Sequence, residues 1–170
     1  CLLSGGRIQQ YAPPQEVFDR PANRFIAEFV GNPPMNVLDM ALDPARARAV
    51  VAGSHVPLGD RYRACAAAGV THLGVRARDL ELVPAGTPDT VSGSVYVVEP
   101  LGDEVFVEVL LGEARVSVSA PRGFRADPGF PIGVRVDPAR ACFFTSDGTT
   151  AVHRSSQDSP IRQQVEGILS

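Results

Sequence analysis

The chain has 170 residues and a formal net charge of −3, with 44% hydrophobic and 21% charged residues. This balance is typical of a globular protein, and it disfavours nucleic acid as the main partner because a phosphate backbone requires a basic surface. No apolar run approaches the ~18 residues of a membrane span, and no signal-peptide pattern opens the sequence. The 16 glycines and 15 prolines favour many turns, and therefore many short strands, over a helical bundle.

The three cysteines, Cys1, Cys65 and Cys142, lie far apart in the sequence. Their odd number and the lack of a Cys-x-x-Cys pair disfavour a disulfide framework and a zinc site, so we expect a reduced cytosolic protein. Because the first residue is Cys1 rather than Met, two interpretations are open: the mature end of a lipoprotein, or part of a longer chain. We favour the second, because a hairpin pattern follows at once instead of a polar tether.

The first thirty residues read as a hairpin followed by two short helices. Gly5 and Gly6 supply the positive φ angles of a tight turn within a hairpin over 1–12. The prolines that follow predict a short helix over 15–19 and a second helix over 21–30. The second helix has one apolar face, which consists of Phe25, Ile26, Phe29 and Val30. Gly31 is the expected residue just beyond its end.

From residue 35 onward the pattern is that of short strands. Apolar runs recur between Gly, Pro and Asp at 37–42, 48–52, 70–76, 91–98, 105–111, 115–119 and 132–136. Alternation is clearest at Val91, Gly93, Val95 and Val97, and again at Val105, Val107, Val109 and Leu111. Alternation with polar partners indicates half-buried antiparallel strands, and several of them at this spacing predict a small barrel or sandwich.

The remaining segments give weaker signals. Residues 64–68 favour a short helix, and 84–90 read as a loop or linker that divides two halves of the β-rich part. The tail over 155–170 is polar up to Pro160 and then places apolar residues on one side of a predicted nine-residue helix, with Ser159 as its N-cap. A helix of this length needs a surface to pack on.

Motifs of catalysis are not found in the sequence. It contains no Gly-x-x-x-x-Gly-Lys-Ser/Thr loop, no His-Glu-x-x-His and no Gly-x-Ser-x-Gly, so we assign no catalytic, cofactor-binding or metal-binding residue. We expect His55, His72 and His153 to be satisfied or exposed, and Cys142 to be a small core residue. From the residues alone, the chain is a non-catalytic β-rich module.

Two charged clusters are candidate sites. Residues 76–79 (RARD) are expected to form a surface turn with a local Arg–Asp pair, or otherwise to bind an anion. Glu99, Asp103 and Glu104 surround a predicted turn, and they form either a solvated loop or, less favoured, a carboxylate pair or cation site.

Several segments, taken in order, resemble one family. Residues 4–18 resemble a Gly-Arg-Ile run of ABC-transporter ATPases, and residues 20–36 (RPANRFIAEFVGNPPMN) closely resemble a segment of their sugar-importer branch. Residues 73–80, 97–104 and 144–148 are similar to three later motifs of that branch. The resemblance covers about residues 2–154.

The resemblance implies a mainly β fold. It divides the chain into the end of a nucleotide-binding domain at 1–34, an OB-like antiparallel barrel of the TOBE (transport-associated OB-fold) type at 35–154, and a tail at 155–170. The chain would be the regulatory and dimerisation region of an ATP-binding subunit that imports sugars or related solutes. The catalytic motifs are absent, so this part is not an enzyme, while its full-length parent is an ATPase that uses ATP and Mg.

The resemblance also implies partners and a place in the cell. The parent would form a homodimer and contact membrane-spanning permease subunits through its catalytic domain. It would lie in the cytoplasm on the inner face of the membrane without inserting into the bilayer, and it would not bind nucleic acid. The candidate regulatory or interface residues are Arg76, Asp79, Glu99, Gly102, Asp103 and Glu104. Two departures put contacts at those places in doubt, because Ala77-Arg78 replaces the usual Pro-Glu and Cys142 replaces a common His. The alternative function is a stand-alone OB-like module that binds an oxyanion or a small metabolite, and an enzyme of unknown type is a distant third.

Overall fold

The computed structural model of the chain describes residues 1–102 and 104–155. Its helices are α1 (Pro14–Asp19), α2 (Arg24–Phe29) and α3 (Arg61–Ala68), with 3₁₀ turns at Ala77–Asp79 and Pro138–Arg140. Its strands are β1 (Leu2–Ser4), β2 (Arg7–Gln10), β3 (Asn36–Asp43), β4 (Arg48–Val51), β5 (Ser54–Pro57), β6 (His72–Val75), β7 (Leu80–Pro84), β8 (Val91–Leu101), β9 (Glu104–Leu111), β10 (Ala114–Ala120), β11 (Pro131–Val136), β12 (Cys142–Phe144) and β13 (Thr150–Val152). Most of the described secondary structure is therefore β, as predicted.

The N-terminal segment, residues 1–31, contains the predicted hairpin and both predicted helices. Gly5 and Gly6 have φ angles of 57° and 72°, which the tight turn between β1 and β2 requires. Helix α2 is shorter than predicted because Asn23 is its N-cap, and the Asn23 side chain accepts a hydrogen bond from the Ile26 amide at 3.0 Å. Gly31 follows the end of α2 with a φ of 111°.

The β domain, residues 36–155, consists of two antiparallel sheets. One has the strand order β10-β9-β8-β11-β7, and the other β13-β12-β6-β3-β4-β5. The two edge strands of the first sheet, β10 and β7, lie close together, so that this sheet curls towards a barrel. The described hydrogen-bonded ladders do not join these edges, so the expected closed barrel is not observed in the described residues.

Two details of the predicted strands need correction. The loop over 84–90 joins β7 to β8, which belong to the same sheet, so it does not divide two halves of the β domain. The alternation of β8 holds as far as Val95, after which a β-bulge shifts the register; Val98 then packs on the core in place of Val97. In β9 the predicted face is fully buried, and it consists of Val105, Val107, Val109 and Leu111.

One continuous apolar core extends through both sheets, and its largest buried side chain is Phe143. A second, smaller cluster forms where α2 meets the β domain, and it consists of Ala27, Met35, Cys142 and Phe144. Gly74 lies against this cluster, and a Cβ atom there would come within 2.5 Å of a Phe144 ring carbon and 2.7 Å of the Met35 sulfur. The N-terminal segment therefore joins the β domain through a packed apolar contact.

Helix α3 confirms the predicted short helix, although it begins three residues earlier than expected. The predicted tail helix lies outside the described residues. Among the described residues, no helix is long and apolar enough to cross a membrane.

Candidate functional site

Arg76 occupies the junction between the N-terminal segment and the β domain. It follows β6 and is only 3% exposed. Its Nη1 donates to the carbonyl oxygens of Ala27 at 3.1 Å and Val30 at 2.5 Å, and its Nη2 donates to the Phe18 carbonyl at 2.9 Å. One guanidinium thus binds carbonyl groups at the C-terminal ends of both α1 and α2.

This arrangement satisfies groups that a short helix cannot satisfy itself. The last carbonyls of a helix lack intrahelical donors and carry partial negative charge, so a cation at that end is favourable. The guanidinium also stacks on the Phe18 ring, with 4.1 Å between the guanidinium carbon and the ring centroid. Burial lowers the pKa of Arg76 to about 10, which leaves the group charged at neutral pH.

The prediction that residues 76–79 form a surface turn with a local Arg–Asp pair is wrong. Arg76 donates to backbone carbonyls, and the Asp79 side chain, 3% exposed, accepts from Arg140 at 3.3 Å and Arg154 at 3.2 Å. Arg154 also contacts Asp19 at 3.4 Å, at the last residue of α1. The turn therefore has two buried charged side chains that contact the N-terminal segment, Arg76 directly and Asp79 through Arg154.

A second set of contacts holds the N-terminal segment at the chain between its two helices. Asn23 forms an isolated antiparallel bridge with Thr149, and the Arg24 amide donates to the Gly148 carbonyl at 2.8 Å. The Thr150 hydroxyl donates to the Pro21 carbonyl at 2.7 Å, and its amide donates to the Ala22 carbonyl at 3.1 Å. The turn between β12 and β13 thereby pairs with the chain between α1 and α2.

Asn36 links the two sheets. Its side-chain oxygen accepts from the Ser117 amide at 2.8 Å, and its side-chain nitrogen donates to the carbonyls of Ser117 at 2.9 Å and Val75 at 3.2 Å. The amide group thus substitutes for a neighbouring strand at the edge of β10, where backbone groups would otherwise lack partners.

The acidic candidates lie on the β8–β9 hairpin. Glu99, Gly102 and Glu104 are exposed, Gly102 has a φ of 62°, and Asp103 lies outside the described residues. Glu104 lines a cleft of about 140 Å³ together with Phe18, Arg76 and Arg78, so the structure brings part of the two predicted clusters together. No group of acidic, His or Cys side chains able to hold a metal ion occurs among the residues that the structure describes.

The histidines have separate surroundings. His72 Nε2 lies 3.3 Å from Asp39, and His55 Nδ1 lies 3.4 Å from Asp43. The Nδ1 atom of His153 is buried without a hydrogen-bond partner among the described residues. Burial lowers the pKa of His153, and the nearby charges of Arg20 and Arg61 lower it further.

The thiols of Cys65 and Cys142 are buried, which confirms the expectation for Cys142. Burial raises the pKa of Cys65 to about 11 and raises that of Cys142 as well. Cys1 is exposed. Neither buried thiol has the depressed pKa of a reactive cysteine.

A family model described as the TOBE domain matches residues 73–144. The match identifies only these residues with the TOBE domain, and they make up less than half of the chain. The matched region extends from the second residue of β6 through β12, and it therefore contains Arg76, Asp79 and the β8–β9 hairpin. Residues outside it supply most of their partners at the junction, which consist of Phe18, Asp19, Ala27, Val30 and Arg154.

The chain is similar to the C-terminal regions of ATP-binding subunits of ABC importers. It is 32% identical over 162 residues to the sulfoquinovosyl glycerol transport ATP-binding protein SmoE of Agrobacterium fabrum, covering 89% of this chain and 43% of that protein. It is 30% identical over 162 residues to the maltose/maltodextrin import ATP-binding protein MalK of Vibrio parahaemolyticus, covering 86% and 41%. The chain thus spans about two fifths of the length of the curated relatives it matches.

Among solved structures, the chain is similar to the cytoplasmic molybdate-binding protein ModG. The two are 13% identical with a TM-score of 0.45, and the match covers 65% of this chain and 95% of that one. A TM-score of this size means that the two folds are only loosely alike.

Sequence reasoning located Arg76 and Asp79 but not their partners. Asp19 and Arg154 lie far from them in the chain, and their own neighbourhoods resemble ordinary polar surface. Asn36 falls within the run that most closely resembles the importer family, which was the available signal for its importance.

Proposed function

We propose that this chain is the regulatory and dimerisation region of the ATP-binding subunit of an ABC importer for sugars or related solutes, and that it is itself non-catalytic. The observation that carries the proposal is the extent of the similarity. The matches to importer subunits cover 86–89% of this chain, well beyond the TOBE domain, and they include several subunits that import sugars.

The N-terminal segment supports the same proposal. Large apolar side chains are exposed on it, and they are Leu3, Ile8, Tyr11, Phe25 and Phe29. The rings of Phe25 and Phe29 stack on each other, with 5.7 Å between their centroids. Contiguous exposed apolar surface normally marks a place that another part of a protein covers. In the proposal, the parent's catalytic domain covers them, and residues 1–34 are the end of that domain.

The proposal assigns different tasks to different parts of the parent. Residues 35–154 are an OB-like regulatory domain, and 155–170 are a tail. The parent's upstream motifs bind ATP and Mg and hydrolyse ATP, while its catalytic domain contacts the permease subunits on the cytoplasmic face of the membrane. Two regulatory domains contact each other and keep the subunits paired.

The gene sequence tests the family assignment most directly. We expect the same reading frame to encode, upstream of Cys1, a Gly-x-x-x-x-Gly-Lys-Ser/Thr loop that binds phosphates. A signal sequence in that place would overturn the proposal. Calorimetric titration of the chain with Mg-ATP should show no micromolar binding, because the chain itself has no such loop.

Light scattering tests the dimer. We expect self-association of the chain, and we expect it to persist when Phe25 and Phe29, both exposed, are changed to serine together. Loss of association in that double variant would assign the contact to the N-terminal segment instead of the β domain. A chain that stays strictly monomeric at ~100 μM would contradict the dimerisation proposal. A stable dimer, whose interface buries about 1,000 Å² or more, should be detectable at that concentration.

A further inference from the structure

The N-terminal segment contacts the β domain at two separated places. On one side, Arg76 binds the C-terminal ends of α1 and α2 through three carbonyl oxygens. On the other, Asn23 pairs with Thr149 in front of α2. A body that is fixed at two separated places can turn only about the line that joins them, and any other rotation breaks one of the two sets of contacts.

We propose that Arg76 is a positioning residue that makes the N-terminal segment and the β domain one rigid unit, so that residues 32–35 do not act as a hinge. Its role in coupling rests on the proposed function. If the N-terminal segment is the end of a catalytic domain, a displacement of that domain reaches the TOBE domain through this guanidinium.

An arginine suits this position better than a lysine for geometric reasons. Three carbonyl oxygens from two helices converge on the two terminal nitrogens of one planar fork, which an ammonium group cannot reproduce. Phe18 contributes its ring as well as its carbonyl, so the cation is held on its face and on its edge. The junction is also tightly packed, because a Cβ atom on Gly31 would lie 3.0 Å from Arg76 Nη1.

Ion pairs next to Arg76 also connect the 3₁₀ turn at Ala77–Asp79 to the N-terminal segment. Asp79, three residues after Arg76, accepts from Arg154, and Arg154 reaches Asp19 at the end of α1. The Arg154 side chain is 9% exposed and that of Asp79 is 3% exposed, so solvent screens these charges little. The short 3₁₀ turn is thereby bound to the N-terminal segment by charges at both of its ends.

Amide hydrogen exchange of the 170-residue chain tests the proposal with the variants R76M and R76K. The reporters are the amides of Val17, Arg20, Ala27 and Val30, each of which donates to the carbonyl four residues earlier in or beside α1 and α2. We expect R76M to raise their exchange rates at least tenfold while the amides of β9 and β10 keep wild-type rates. R76K retains the charge without the fork, so it should restore part of the protection.

The matched control is R135M. Arg135 forms an exposed ion pair with Glu81 at 2.6 Å in the same domain, so the same chemical change there should leave the helix-end amides unaltered. Equal acceleration of all amides in R76M and R76K would show that Arg76 is only a core residue, and unchanged rates in both would show that other contacts suffice. Either result overturns the proposal.

Light scattering on R76M separates this inference from the proposed function. We expect the self-associated mass to equal that of the wild type, because Arg76 is buried within one chain. A monomeric wild type would sink the dimerisation claim and leave the exchange result standing. Wild-type exchange rates in the variant would sink the coupling claim and leave the family assignment standing.

Discussion

The N-terminal segment and the β domain are stabilised in different ways. Helices α1 and α2 have six residues each, too few for a stable helix in water, and several of the segment's large apolar side chains are exposed. The β domain buries one continuous core between its two sheets. The segment therefore depends on contacts with the β domain, while the β domain has its own apolar core.

The chemistry at the boundary follows from this dependence. Apolar burial there consists of a small cluster around Ala27 and Met35 together with the buried side chains of Val17 and Ile26. The remaining contacts are hydrogen bonds and ion pairs. Hydrogen bonds to charged groups stabilise by about 1.5–3 kcal/mol each, so a few of them can hold a short segment. We therefore expect substitutions in the core to unfold the chain, and substitutions at the boundary to act locally.

The largest expected effect separates the two regions. Phe143→Ala removes a fully buried ring from the core and should lower the free energy of unfolding by about 3–5 kcal/mol. Phe29→Ala, at a side chain 65% exposed in the N-terminal segment, should change it by less than about 0.5 kcal/mol. Urea unfolding followed by circular dichroism measures both. Similar losses in the two variants would contradict the comparison.

A smaller effect is expected where the sheets meet. Asn36→Ala removes the side-chain partner of the Ser117 backbone and should cost about 1–3 kcal/mol, because a half-buried amide and carbonyl lose their hydrogen bonds. Ser117→Ala is the matched control, since the Ser117 hydroxyl is buried without a hydrogen-bond partner among the described residues and the backbone stays intact. If both variants unfold at the wild-type urea concentration, Asn36 does not link the sheets.

A pH dependence should come from the end of the β domain. Because the pKa of His153 is lowered in the folded chain, the fold favours the neutral imidazole. Its contribution is therefore fully present above the unfolded value of about 6.5, and it is lost as pH falls from there through the lowered folded value. The urea concentration at the unfolding midpoint should fall less steeply between pH 7 and pH 5 in His153→Gln than in the wild type. Identical slopes would show that His153 does not titrate in this way.

The smallest expected effect is a difference in reaction rate between the exposed and the buried thiols of the wild-type chain. At pH 8, an aromatic disulfide reagent should modify the exposed Cys1 rapidly, while Cys65 and Cys142 react only at the rate of opening or unfolding. Thiol counts before and after addition of urea measure the difference. Fast reaction of all three thiols in the native chain would mean that the core around Cys65 and Cys142 opens readily.

Local patterns predicted many elements of the fold because their causes are local. Paired glycines produced the β1–β2 turn, and strict alternation identified the buried face of β9. Strands β5, β7, β12 and β13 were missed because they have three to five residues, too few for alternation to be distinct from chance. The bulge in β8 was also missed, since an inserted residue changes which side chains face the core without changing the composition.

The candidate site shows the limit of sequence reasoning more clearly. Arg76 and Asp79 were selected from the sequence as candidate residues, but neighbouring opposite charges in a sequence favour a local pair on the surface. In the structure the two side chains have different partners, which are separated from them by up to 75 residues. No spacing rule connects residues at such separations.

Turn residues, periodicity and motif order are local properties of the chain, and they were enough to predict the mainly β character, the hairpin and helices at the start, and the resemblance to importer ATPases. The burial of Arg76 and Asp79, the link that Asn36 makes between the two sheets, and the two sets of contacts that hold the N-terminal segment are visible only in the folded structure. The physical reason is that burial and hydrogen-bond partners depend on which distant segments the fold brings together.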